Sequence, residues 1–245
     1  KNHFWEFRQS QGEFGTEPTF KGVWLNNALP IAYDGQPSEQ APSDGDGCGE
    51  AGVFATASRF NHACAPSCHY CWDPRRGQMT VRALRAVPRG EELTISYLAP
   101  GGRVRAERQR LLQRNFGFVC ACPTKCALAG SALTRSDMLQ RAIGDLAPDS
   151  DASGAPLSTS RFGAAPEALT RMLVEEGLPM IWARSTLWSA MLQSEQPSLW
   201  AGRLKEVMAL AMGTDHPSVE TLEKVRKVSD AMGPAAFRAA VAAMR

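Results

Sequence analysis

Two textures divide the chain. Up to about Cys126, apolar residues come in short runs broken by Gly, Pro, Asn and Asp, the pattern of short strands and loops. KGVWLNNALPI (Lys21 to Ile31) predicts one strand leading into a turn. QMTVRALRAVPRGEELTISYL (Gln78 to Leu98) predicts two strands around Pro88-Arg89-Gly90, with Leu93, Ile95 and Tyr97 alternating onto one face of the second, a hairpin-like pattern. SRFNHACAPSCHYC (Ser58 to Cys71) reads as a loop. From Ser131 the period becomes helical: Leu139, Ala142, Ile143 and Leu146 share a stripe. A second helix starts at Pro166 and stops near Gly177, and a third runs from about Pro179 to Gln193. In the fourth, Trp200, Leu204, Val207, Met208 and Ala211 share a face, with Gly213 as a left-handed cap. Pro217 opens a fifth carrying Val219, Leu222 and Val225, and Gly233-Pro234 sets off a short last one.

The predicted class is therefore α+β, a β-rich half of small sheets followed by an all-α region from Ser131 to Arg245. Asp34 to Glu50 and Ala147 to Ser160 are loaded with Gly, Pro, Ser and Asp and have no apolar period, so both read as flexible segments that carry no chemistry.

Charge changes this picture little. Lys and Arg number 27 against 25 Asp and Glu, a formal +2, which gives no reason to expect nucleic-acid binding. Arg103, Arg105, Arg108, Arg110 and Arg114, interrupted by Glu107, predict a short exposed helix with a solvated face, the other reading being a patch for an acidic partner or nucleic acid. No apolar run approaches the ~18 residues of a membrane span, and KNHFWEFRQ is not a signal peptide. With seven Cys, an odd number, a reducing setting in nucleus or cytoplasm is expected, and clustered Cys are tested first as metal ligands. The chain starts at Lys1 rather than Met and reads as a fragment.

The cysteines form two groups: Cys64, Cys68 and Cys71, and Cys120, Cys122 and Cys126 of CACPTKC. Thiolates two to four residues apart can reach one tetrahedral Zn²⁺, whereas Cys120 and Cys122 are too close to be natural disulfide partners. Three ligands from one turn leave a fourth to come from Cys64, Cys68, Cys71 or His69. Three free buried thiols are the plainer alternative.

Three stretches then resemble one family. RFNHACAPS is similar to the RFNHSCxPN segment of SET-domain protein lysine methyltransferases, GEELTISY to their GEExxxxY segment, and FGFVCACPTKC to their post-SET cysteine motif. They occur in the family's order and cover roughly Lys21 to Cys126. The branch with MYND fingers and a tetratricopeptide-like helical C-terminal domain fits best, because of GTDHPSVETLEKV, although no MYND finger is visible. The resemblance implies a SET domain over 1–118 with an insertion at 34–50, a post-SET zinc motif over 119–130 and a helical region over 131–245. It implies Tyr97 as the catalytic residue, and Asn61, His62 and Phe118 as S-adenosylmethionine contacts, with Ser58 and Asn27 as weaker ones (Asn26 is an equal match). It also implies a structural Zn²⁺ held by Cys64, Cys120, Cys122 and Cys126, leaving Cys48, Cys68 and Cys71 without a role. The implied partner is a lysine-bearing protein, histone or otherwise.

Two departures accompany the match. The family's Gly-x-Gly segment is not found upstream of Asn61, so the chain is expected to lack its first strands and to bind the cofactor weakly as given. The motif's last Asn is Ser67 here. A catalytically silent SET-like module, binding zinc and holding a protein partner on its helical half, is the alternative.

Overall fold

The computed structural model describes residues 20–31, 51–98, 102–146 and 165–243. Both Gly/Ser/Pro-rich segments and Cys48 lie outside them. The first part contains α1 (Phe20–Asn27), β1 (Ala28–Pro30), β2 (Ala51–Val53), a 3-10 turn (Ala57–Arg59), β3 (Asn61–His62), β4 (Cys68–Asp73), β5 (Gln78–Ala83) and β6 (Thr94–Ile95). α2 (Arg105–Phe116) leads into α3 (Gly130–Leu146), α4 (Ala165–Glu175), a 3-10 turn (Met180–Ala183), α5 (Arg184–Gln193), α6 (Pro197–Met212), α7 (Pro217–Met232) and α8 (Pro234–Ala243). The α+β class and the helical second half are as expected.

Among the described residues the strands make three two-stranded sheets: β1 with β2 antiparallel, β3 with β6 parallel, and β4 with β5 antiparallel from Cys68↔Ala83 to Asp73↔Gln78. Two strand expectations need correction. Lys21 to Asn27 is helical, and only Ala28–Pro30 is extended, because only that stretch finds a strand partner. The Asn27 Nδ2 donates to Val23 O at 2.9 Å, an i to i−4 bond of the kind by which Asn competes for backbone partners. The Pro88–Gly90 turn does form, with Glu91 N–H donating to Pro88 O at 3.1 Å, but the strands on either side of it do not pair with each other. β5 is taken by β4, the stretch read as loop. The cause is burial on both faces of β4, which removes the apolar/polar alternation by which a half-buried strand is recognised.

β4 thereby separates two cores. Cys68 and Tyr70 pack with Ile95, while Cys71, on the opposite face, joins the helical core of Leu187, Leu204 and Met208. α6 supplies the centre of that core: Trp200, Leu204, Met208 and Ala211 are buried against α5, α7 and the β4–β5 ribbon. α7 begins with Pro217 behind an N-cap, His216, whose Nδ1 accepts from Ser218 N–H at 3.2 Å. Gly213 ends α6 as expected, yet its φ of 108° and ψ of 147° are not those of a left-handed helical cap. That φ is one L side chains rarely adopt, and a Cβ there would also lie 2.4 Å from Arg82 Nη2.

The arginine-rich segment is the expected short helix, α2, but its face is not uniformly solvated. Arg110 and Arg114 are exposed, whereas Arg108 is buried and donates to Arg103 O. Arg108 lies one turn before Leu112, which is fully buried with Cys64, Leu98 and Cys120 in a third small core. That stripe aims α2 at the cysteines.

Candidate metal centre and adjoining cavity

The Sγ atoms of Cys64, Cys120, Cys122 and Cys126 all lie within 4.8 Å of one another. Cys64 is 3.6 Å from Cys126 and 4.0 Å from Cys120. A tetrahedron with Zn–S bonds of about 2.3 Å has S···S edges of about 3.8 Å, so these thiols fit a Cys₄ zinc site with little adjustment. Cys64 and Cys120 are buried; Cys122 and Cys126 keep partial exposure. Hydrogen bonding to Cys120, Cys122 and Cys126, then burial, pushes the Cys64 thiol up, and hydrogen bonds from Cys122 and Cys126 pull Cys120 down. Four sulfurs in such contact cannot all ionise unless a cation sits among them.

Of the four candidates for the remote ligand, only Cys64 reaches the turn. Cys68 and Cys71 point to opposite sides of β4, so they can share neither a metal ion nor a disulfide. Cys71 instead donates to Trp72 O at 3.3 Å and faces His216 Nε2 at 3.7 Å. His69 lies on β4 beside Tyr70, its ring stacked at 17°.

The cysteine turn is gripped by groups to which sequence reasoning gave no such role. Gln109 of α2 brackets Cys120, its Nε2 donating to Cys120 O at 2.6 Å and its Oε1 accepting from Cys120 N–H at 2.8 Å. Arg105 donates to Cys126 O at 3.3 Å and Leu128 O at 2.7 Å. Lys125, inside the turn, pairs with Glu176 at 2.9 Å. Lys125 alone had a readable signal, its place between two candidate ligands.

Beside this centre lies a cavity of about 500 Å³ whose lining includes Asn61, His62, Tyr97 and Phe118 together with Cys120 and Cys122. The parallel pairing of β3 and β6, Asn61↔Thr94 and His62↔Ile95, brings the first two motifs together. Ser67, in place of the expected Asn, locks the pair: its Oγ accepts from Thr94 N–H at 3.0 Å and its N–H donates to Thr94 Oγ1 at 3.3 Å. Tyr97 N–H donates to His62 Nδ1 at 3.0 Å, which assigns the ring proton to Nε2, facing Cys64 Sγ at 3.5 Å. Both ring nitrogens of His62 are thus engaged by the protein, leaving its backbone and ring edge to the cavity. The Tyr97 hydroxyl donates to Phe60 O at 2.7 Å, and its ring meets Phe116 at 5.0 Å and Phe118 edge-on at 6.2 Å. Asn61 Nδ2 donates to Glu92 Oε1. Asn27 and Ser58 are not among the residues lining this cavity; the Ser58 hydroxyl accepts from Phe54 N–H at 2.9 Å and closes a local turn.

Residues 21–98 match the SET domain family. The chain is 35% identical over 92 residues to the histone-lysine N-methyltransferase set5 of Schizosaccharomyces pombe, covering 38% of this chain and 28% of that protein. It is 37% identical over 81 residues to the human protein-lysine N-trimethyltransferase SMYD5, covering 32% and 19%. Similarity to a SET and MYND domain-containing protein of Dictyostelium discoideum is 31% over 116 residues, covering 47% and 21%. The chain thus aligns with less than a third of the length of these relatives. No helix among the described residues is long and apolar enough to cross a membrane.

Proposed function

From the SET-domain match over residues 21–98 and the similarity to histone- and protein-lysine methyltransferases, we propose that the chain takes part in S-adenosylmethionine-dependent methylation of lysine side chains on a protein substrate, histone or non-histone, in nucleus or cytoplasm. In this reading residues 1–118 are the SET domain, 119–130 the zinc turn and 131–245 a helical region. The observation that carries it is the single cavity shared by Asn61, His62, Tyr97, Phe118 and the cysteine turn.

Bound S-adenosylmethionine supplies an electrophilic methyl on a positively charged sulfur. The attacking lysine must be neutral, and at pH 7 removing its proton costs about 4.6 kcal/mol from a pKa of about 10.4. The rings of Tyr97, Phe116 and Phe118 form an apolar wall that disfavours the ammonium form, lowering that cost without a strong base. In this reading the Tyr97 hydroxyl, which donates to Phe60 O, orients the amine for in-line attack. Asn61 and the His62 backbone grip the cofactor, with Asn27 and Ser58 as the weaker contacts that the resemblance implies. Zn²⁺ on the four cysteines is structural, shaping the wall that runs from Phe118 to Cys122.

A silent module is favoured by one observation: Asn61, His62 and the Tyr97 hydroxyl each already have a protein partner. Calorimetric titration with S-adenosylmethionine, followed by transfer of labelled methyl groups to histones and to protein extract, decides between the two. Micromolar binding that is lost in Asn61→Ala, with label on lysine, supports the enzyme; absence of binding and label supports the module.

A further inference from the structure

Glu176 breaks two local rules at once. Backbone bonds Gly177 N–H to Val174 O at 3.0 Å and Leu178 N–H to Leu173 O at 2.8 Å make the paired closure that ends a helix at a left-handed glycine, here Gly177 with φ 61°. Glu176 is the capping residue of that closure, at the helix end where the macrodipole disfavours an anion. It is also buried, at 5% exposure. Its Oε2 accepts from Lys125 Nζ at 2.9 Å, Ser136 Oγ at 2.8 Å and Gln140 Nε2 at 2.9 Å, and all three donors are themselves buried.

A buried ion pair seldom adds net stability over apolar residues of the same volume, so its use lies in fixing geometry. Glu176 is held by the helix closure and by two neutral donors of α3, whereas Lys125 belongs to the irregular turn between Cys122 and Cys126. The constraint therefore runs from the helical region to the turn. Gln109 and Arg105 hold the turn's two ends, Arg105 itself meeting α3 through its N–H to Asp137 Oδ1 at 2.9 Å; Lys125 is the third point of attachment and the one that reaches the end of α4.

We propose that Glu176 is a positioning residue: through Lys125 it fixes the zinc turn, and with it the Phe118 to Cys122 wall of the cavity, so that the helical region sets the shape of the proposed methyl-donor site. The cofactor part of this statement rests on the function proposed above; the metal part does not.

The test compares the zinc-loaded protein with Glu176→Gln, Lys125→Met and the double variant Lys125→Met/Glu176→Gln. Zinc release to a chromophoric chelator, thermal midpoint, and the split of methyl transfer into kcat and KM for S-adenosylmethionine are the readouts. Each single variant should release zinc roughly ten-fold faster, the lower end of what loss of an outer-shell partner does to metal affinity, and should raise KM more than it lowers kcat. The double variant, with no unpaired buried charge, should recover much of the thermal midpoint while still releasing zinc fast. Zinc release within two-fold of wild type in both single variants overturns the proposal. So does a double variant that recovers zinc retention along with the midpoint, because the pair would then contribute stability alone. If the wild type neither binds the cofactor nor transfers methyl, the functional reading falls, and zinc release still decides the role of Glu176.

Discussion

Acidification should destabilise the protein through one histidine. Nε2 of His69 is enclosed without a hydrogen-bond partner, and burial, then the Arg184 guanidinium, holds the ring's pKa down at about 4. The folded protein therefore keeps His69 neutral, while the unfolded chain takes up a proton below about pH 6.5. Stability from this source is fully present above pH 6.5 and is lost as the pH falls towards 4. At pH 5 the unfolded ring sits 1.5 units below its pKa, which at about 1.36 kcal/mol per unit costs about 2 kcal/mol; below pH 4 the cost levels off at about 3 kcal/mol. Urea unfolding followed by tryptophan fluorescence at pH 7 and pH 5, for the wild type and His69→Gln, measures it. The pH-dependent loss in the wild type should exceed that in the variant by about 2 kcal/mol, since zinc loss on acidification affects both proteins and cancels. An excess under about 0.5 kcal/mol would mean that His69 titrates freely, and its enclosure would be refuted.

Zinc stoichiometry separates the cysteines: Cys68→Ser and Cys71→Ser should still bind one ion per chain by elemental analysis, whereas Cys64→Ser should lose the tight site, and retention of it would discard Cys64 as a ligand. Tyr97→Phe removes the bond to Phe60 O and should cost about 1 kcal/mol in urea unfolding. On the proposed function it should also slow methyl transfer or change the number of methyl groups added, so unchanged rates and products would take Tyr97 out of the site. Leu112→Ala, at a fully buried position between α2 and Cys120, should cost about 2–5 kcal/mol and accelerate zinc release; a loss below 1 kcal/mol would contradict the packing of α2 against the cysteine turn.

Local periodicity made most of the helical half legible because its helices carry their own punctuation: Pro166, Gly177, Pro217 and Gly233 fall where elements begin or end, whereas the stretch expected as helix from about Pro179 opens as a 3-10 turn and is α-helical only from Arg184. Strands were less so. β4 has apolar and polar groups buried on both sides and so does not alternate enough to be recognised, while β6, expected from the alternation of Leu93, Ile95 and Tyr97, is only two residues long and takes its partner, β3, from far along the chain. The cysteine set followed from spacing only as far as three ligands. Choosing Cys64 over Cys68, Cys71 and His69 needed either the family resemblance or the fold, because the deciding fact is which way β4 faces.

Least legible were the polar contacts that join the two halves, and these are of two physical kinds. The β4–β5 turn meets the start of α7 through Arg75 with Glu220 and Arg76 with Asp215. Those groups are about half exposed, so each pair contributes little, weakens with salt, and leaves the register to the apolar packing of Cys71 against α6. Lys125 with Glu176 is buried and satisfied on the carboxylate side by two further donors. Salt cannot screen it and water cannot replace either partner, so the zinc turn cannot shift without leaving a charge unpaired in the interior. Disturbance of the α3–α4 corner should therefore reach the cavity wall, while disturbance of the exposed Arg75 and Arg76 pairs should change stability and leave zinc release alone.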